Sequence, residues 1–210
     1  MAKLYFKYGT MGSSKTTRCL TDAYEYESRG NEVLLMKSGI DTRSNVGRIE
    51  SRTGLSADCI DLTDEDNLTA TIKNEIDKSG VSCVFVDEAQ FLSPTQVLQL
   101  RNASFLYNIP VICYGLRSDF RGVPFDGSSV LMATADSIEE VKSICSNKGC
   151  THKATYNARF DGQDNFVFVG EQVAIGDTKE SESQFHYKPI CSQCYMEELL
   201  DYAEAGGEMA

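Results

Sequence analysis

Positive charge is scarce in this 210-residue chain: 20 lysines and arginines stand against 31 aspartates and glutamates, a formal net charge of −11. Broad binding to nucleic acid or to an anionic membrane needs a basic stripe, so neither is expected as a partner. A small phosphate ligand is still allowed, because it needs only a few local donors. Long hydrophobic runs are also missing, and none approaches the roughly 18 residues that span a bilayer. No basic-then-apolar leader precedes the first strand-like segment, so the expected location is cytoplasmic. There is no internal repeat and no low-complexity linker.

What is present suits a small two-part protein. Hydrophobic residues make up 41% of the chain, enough for one compact core with a small appended unit. Short apolar runs alternate with amphipathic stretches over the first two-thirds. Strands are expected at Leu4–Tyr8, Glu32–Lys37, Ser82–Val86 and within IPVICYGL. The first helix is expected from Lys15 to about Arg29, stopped by Gly30, and a second over about Asp64–Lys78, opened by Thr63. Ser93 as N-cap, Pro94 in the first turn and Gln96 completing a capping box fix the start of a third. The polar segment Ser38 to Asp58, with Gly39, Gly47 and Gly54, reads as mobile. Buried strands alternating with helices imply an α/β fold with a mostly parallel sheet covered on both faces.

After Lys142 the pattern changes to glycines, polar residues and short strand-like runs, NFVFVG and EQVAIG. The expected division is 1–142, 143–195 and a tail, 196–210. The last fifteen residues, MEELLDYAEAGGEMA, hold five acids and no lysine or arginine. They predict a short helix fraying into a partly disordered acidic tail.

The stretch FKYGTMGSSKTTRCL joins the first strand to the first helix. Gly9, four residues, Ser14, Lys15 and Thr16 match the phosphate-loop pattern at all but one position, where serine stands for glycine. In such a loop, successive backbone N–H groups converge on phosphate oxygens at a helix N-terminus. The lysine neutralises charge and the threonine hydroxyl reaches Mg²⁺. A serine side chain at position 14 limits the closest approach of backbone to phosphate. The motif VFVDEAQF supplies the partner acids. Asp87, straight after a buried strand, suits Mg²⁺; Glu88 beside it suits a base that accepts the proton of an attacking hydroxyl.

Eight cysteines divide unevenly. Cys19, Cys59, Cys83 and Cys113 are scattered, as small core residues are. Cys145, Cys150, Cys191 and Cys194 form two close pairs, which in a reducing compartment favour a metal over disulfides. Together they make a closed four-thiolate zinc site of structural type, with His152 as an alternative to Cys150. Such a zinc would staple the base of a long loop whose closure otherwise costs entropy. Within that loop, Tyr187 can stack on a planar ring and the backbone around Val173–Gly176 can hydrogen-bond to a base. The aromatic residues there read equally well as the core of a small sheet.

The combination of GTMGSSKTT, DEAQF, CYGLRSDFRGVPF and HYKPICSQC resembles the cytosolic, type II thymidine kinase family, over roughly Lys3 to Tyr195 and in the family's order. The likeness is closest to bacterial members. It implies a P-loop NTPase of the RecA-like type with a small C-terminal zinc-binding lasso. The activity implied is ATP-dependent phosphorylation of thymidine, and of deoxyuridine, at the 5′-hydroxyl, serving nucleoside salvage for DNA synthesis. By the resemblance, Gly9, Thr10, Met11, Gly12, Ser13, Ser14, Lys15, Thr16, Thr17 and Arg43 bind ATP. Thr16 and Asp87 serve Mg²⁺, and Glu88 is the catalytic base. Met11, Phe91, Leu116, Phe120 and Phe125 line the nucleoside pocket, with Gln172, Ala174, Gly176 and Tyr187 on the lasso. A homotetramer inhibited by thymidine triphosphate (dTTP) is also implied. Two rival readings stay open: a P-loop ATPase with a zinc ribbon that binds DNA, and a non-catalytic nucleotide-binding protein.

Overall fold

The computed structural model describes residues 1–40, 45–172 and 185–207. The chain forms two compact units. The first comprises Met1–Tyr8, Ser14–Arg117 and Phe125–Glu140; the second comprises Gly9–Ser13, Ser118–Pro124 and the described residues from Val141 onward.

The first unit is built on a six-stranded sheet. Its members in chain order are β1 (Leu4–Tyr8), β2 (Val33–Ser38), β5 (Ile60–Leu62), β6 (Cys83–Asp87), β7 (Val111–Gly115) and β8 (Ser137–Glu140). Across the sheet they lie in the order β5-β2-β6-β7-β1-β8, and every pairing is parallel. The α/β expectation holds. Successive side chains in a strand point to opposite faces, so a strand buried on both sides must be apolar throughout. On one face Leu35, Cys83, Phe85, Ile112 and Tyr114 pack under α1 (Lys15–Glu27) through Cys19, Leu20 and Ala23. On the other, Phe6, Met36, Val84, Val86, Val111 and Cys113 pack under α2 (Leu68–Ser79), α3 (Pro94–Leu106) and α4 (Asp126–Thr134). Each fully buried large side chain contributes roughly 1.5–3 kcal/mol relative to exposure. Cys19, Cys83 and Cys113 are buried here and Cys59 half-buried, as scattered core cysteines should be.

The expected start of α3 is formed: Ser93 Oγ accepts from Gln96 N at 3.2 Å, and Gln96 Oε1 accepts from Ser93 N at 3.1 Å. Other boundaries differ. α2 begins at Leu68, capped by Asn67 Oδ1 accepting from Ala70 N at 3.1 Å. Thr63 instead closes a turn, donating from N and Oγ1 to Asp66 Oδ2 at 2.6 and 2.9 Å. Local side-chain bonds of this kind compete with helix formation. Within Ser38–Asp58, β3 (Arg48–Glu50) pairs antiparallel with β4 (Ser56–Asp58) and buries Ile49. Strands of three residues leave too little periodicity to read. α4 was not legible either, since Gly-Ser-Ser is a weak helix former. Its seat is tertiary: a Cβ on Gly127 would lie 2.5 Å from Leu92 O, so only glycine permits that approach.

In the second unit, β9 (Tyr156–Asp161) pairs antiparallel with β10 (Phe185–Ile190), and α5 (Ser192–Glu204) follows. Ala158, Phe160, Ile190 and Tyr195 form its core with Phe166. The run NFVFVG is not a paired strand; Phe166 makes one isolated bridge to Phe160 and packs edge-on against Tyr195 and Tyr202. In EQVAIG, Glu171 and Gln172 lie in no strand and the rest falls outside the described residues. The predicted C-terminal helix is α5; the final residues, 208–210, are outside the description.

Candidate active site and metal centre

The segment between β1 and α1 carries the phosphate-loop motif. Gly9 is obligatory by packing, since a Cβ there would meet Val141 O at 2.4 Å and Ser13 Oγ at 2.6 Å. Thr10 O accepts from Ser13 N at 3.3 Å, and Thr10 Oγ1 shares a hydrogen bond with Ser143 Oγ at 2.6 Å. Met11 N donates to Asn157 Oδ1 at 2.7 Å. Gly12 has φ of 72°. Ser14, the residue in the usual glycine position, stands at φ 62° and ψ 28°, in the left-handed region. An L-residue there is strained by roughly 1–2 kcal/mol, which explains why glycine is the ordinary choice. Lys15 opens α1 and is only 7% exposed. Thr17 Oγ1 lies 3.4 Å from Thr53 Oγ1.

Two acids end β6. Asp87 is hydrogen-bonded by the Thr16 side chain, with Lys15 close enough to stabilise its charge. Burial, and then the neighbouring Glu88, push the Asp87 carboxyl up to about 7. That donor set, one hydroxyl and one carboxylate beside a lysine, fits Mg²⁺ carried by a nucleotide. Glu88 is buried, with φ of 50°, again left-handed. Its Oε2 accepts from Gln90 Nε2 at 2.5 Å. Gln90 Oε1 in turn accepts from Leu116 N at 3.0 Å, just beyond β7. Strained backbone at two such positions is common where geometry serves chemistry.

The proposed pocket residues fall into two sets. In the first unit Phe91 and Phe125 meet edge to face, centroids 5.7 Å apart, and Leu116 O accepts from Ser128 Oγ at 2.5 Å. In the second unit Tyr187 lies opposite Arg159 in the β9–β10 register. The Arg159 guanidinium sits 3.5 Å over the Phe120 ring and 4.7 Å from that of Phe185. It donates to the carbonyls of Val169 and Glu171. Gly170 between them has φ of 126° and leaves room for that guanidinium. Gln172 Nε2 donates to Asp119 Oδ2 at 3.4 Å. Arg43, Ala174 and Gly176 lie outside the described residues.

Gln90, Asn157 and Arg159 were not singled out from the sequence. Alternation in YNARFD was the available signal for the latter two, because it puts Asn157, Arg159 and Asp161 on one face. Gln90 carried none beyond its place beside the two acids.

The four paired cysteines converge. Their Sγ atoms all lie within 4.8 Å of one another, with Cys150 Sγ to Cys191 Sγ at 3.8 Å. A tetrahedron of thiolates at a Zn–S distance of about 2.3 Å has edges of about 3.8 Å, so the donor set fits zinc. None of the four is in a disulfide. The wider Cys145–Cys150 gap is taken up by a turn in which Cys150 N donates to Asn147 O at 3.0 Å and Gly149 has φ of 81°. Cys194 N donates to Cys191 Sγ, which above all draws the Cys191 thiol down to about 6. Cys150 rather than His152 falls in this convergent set; His152 Nδ1 lies beside it, 3.9 Å from Cys191 Sγ, and its carbonyl accepts from Cys145 N at 2.9 Å.

A parallel sheet with a phosphate loop, a hydroxyl–carboxylate pair and an adjacent second acid defines a P-loop enzyme of phosphoryl transfer. A family model described as thymidine kinase matches residues 2–195. The chain is 43% identical over 195 residues to a thymidine kinase of Haemophilus influenzae, covering 92% of this chain and 100% of that one. It is 44% identical over 176 residues to one of Idiomarina loihiensis, with coverage of 84% and 90%. Against one of Ruegeria pomeroyi it is 41% identical over 206 residues, with coverage of 98% and 100%. The chain belongs to the thymidine kinase family.

Proposed function

We propose that this protein transfers the γ-phosphoryl group of ATP to the 5′-hydroxyl of thymidine, and of deoxyuridine, in nucleoside salvage. The observation that carries this reading is the Thr16–Asp87 hydrogen bond with buried Glu88 next in sequence, in a chain of this family. When bound, Mg²⁺ would neutralise charge on the phosphates, held by Thr16 and Asp87. Lys15 and the N–H groups of Gly9–Thr17, apart from those of Met11 and Ser13 that Asn157 and Thr10 hold, bind the donor phosphates. Glu88 accepts the proton of the 5′-hydroxyl as its oxygen bonds to the γ-phosphorus. The bond to the bridging oxygen then breaks, and ADP leaves with that electron pair. Positioning and charge stabilisation supply most of the acceleration in such transfers.

Met11, Phe91, Leu116, Phe120, Phe125, Gln172 and Tyr187 are each proposed nucleoside contacts. Zinc on Cys145, Cys150, Cys191 and Cys194 is proposed to staple a lasso within 143–195. The resemblance extends the proposal to a cytoplasmic homotetramer inhibited by dTTP. Among the described residues no helix is long and apolar enough to cross a membrane.

The test is a nucleoside panel with ATP and Mg²⁺, read by phosphorylated product. Thymidine and deoxyuridine are expected to yield monophosphates, with ADP formed only when a nucleoside is present. Nucleoside-independent ADP release, or none with thymidine, overturns the reading.

A further inference from the structure

We propose that Gln90 is a positioning residue, one that holds the Glu88 carboxylate in the orientation that receives the substrate proton. This deepens the kinase reading and rests on it.

The side-chain amide of Gln90 has no freedom to flip. One end meets Leu116 N, a backbone N–H that can only donate, so Oε1 must face it, at 3.0 Å. The amide nitrogen must then face the other way, and it meets Glu88 Oε2 at 2.5 Å. An NH₂ group offers no lone pair, so Oε2 must act as an acceptor there and carry no proton toward Gln90. That bond occupies one lone pair of Oε2 and fixes how the carboxylate is turned toward the alcohol whose proton it accepts.

The surroundings hold this relay in place. Gln90 is 2% exposed and lies in the single turn of 3-10 helix Ala89–Phe91. Gly115 leaves the room it needs, because a Cβ there would lie 2.8 Å from Gln90 Oε1 and 3.1 Å from Gln90 N. Leu116 O is fixed in turn by Ser128 Oγ. The end of β7 thus sets the amide, and the amide sets the carboxylate. A carboxylate on a left-handed residue has no regular secondary structure of its own to orient it, so an external anchor matters more than usual. Misplacement of a reacting group by about 1 Å can cost on the order of 100-fold in rate.

Two variants separate this role from that of a simple brace for Leu116. Gln90→Leu removes both hydrogen bonds. Gln90→Glu keeps an acceptor for Leu116 N at the same size but offers Glu88 a carboxylate in place of a donor. Both are expected to lower kcat roughly 10–100-fold while the KM for thymidine stays within about threefold. In a Glu88→Gln background the same changes are expected to cost less than about threefold further, because residues that act as a unit are not additive.

Near-parent kcat in Gln90→Glu would show that the residue only braces Leu116. A loss confined to KM would make it pocket wall, and an undiminished loss in the Glu88→Gln background would make its effect independent of Glu88. Each of these overturns the proposal. Should Gln90→Leu fail to fold by circular dichroism, Gln90→Glu decides; if neither folds, the residue is structural and the assignment fails. The parent is assayed alongside, and its failure to make ADP with thymidine would instead remove the kinase reading.

Discussion

The side chain of Thr16 hydrogen-bonds the carboxylate of Asp87, tying the first turn of α1 to the end of β6. In the sheet, β7 lies between β6 and the strand that leads into the phosphate loop. The bond adds a polar tie between two elements that already pack together, since Cys83 and Phe85 of β6 lie under α1. It couples the position of the acid to that of the loop.

Asp87→Asn tests the state of that acid. Burial first and Glu88 second raise the Asp87 pKa to about 7, while an unfolded aspartate titrates near 3.9. Between about pH 4 and 7 the folded protein holds a proton that the unfolded chain releases, so stability falls as pH rises through that window. Without Mg²⁺, Asp87→Asn is expected to be more stable than the parent at pH 8, by on the order of 2 kcal/mol, and nearly equal at pH 4. Thermal unfolding in EDTA at both values checks it; a parent–variant difference independent of pH counts against the buried acid. Turnover of this variant is expected to be lost.

Glu88→Gln keeps size and the left-handed backbone but cannot take a proton. A fall in kcat of roughly 10²–10⁴-fold is expected, with thymidine and ATP affinities nearly unchanged by calorimetry. Full activity in this variant excludes Glu88 as the base.

Ser14→Gly relieves left-handed strain of about 1–2 kcal/mol and returns about 0.5–1 kcal/mol as glycine's extra unfolded-state entropy. A net stabilisation of about 0.5–1 kcal/mol is expected, together with a lower KM for ATP. Ser14→Val, β-branched at positive φ, is expected to destabilise. Unfolding midpoints and an ATP titration read both, and a Ser14→Gly protein less stable than the parent contradicts the strain argument.

Metal analysis of fresh protein is expected to give about one zinc per chain. Cys150→Ser and Cys194→Ser should lose it and melt at lower temperature, since the staple holds together residues 41 positions apart and their aromatic core. His152→Ala should keep the metal, because His152 borders Cys191 rather than completing the set. Zinc loss in His152→Ala would return the histidine to the ligand list.

The sequence by itself determined the features whose geometry is local. A glycine–lysine spacing, a capping box at Ser93, a run of apolar residues before two acids, and paired cysteines each encode their structure within a few residues. Covalent connection then makes spacing nearly equivalent to position. Thr63 misled because an aspartate three residues on offered its groups a closer partner than a helix would. Only the tertiary structure decided that Gln90 reaches Leu116, 26 residues away, or that Arg159 lies over Phe120. Such contacts follow from which strands stand side by side and which face each alternating residue takes. That choice is set by burial summed over the whole sheet, and no short stretch of chain carries it.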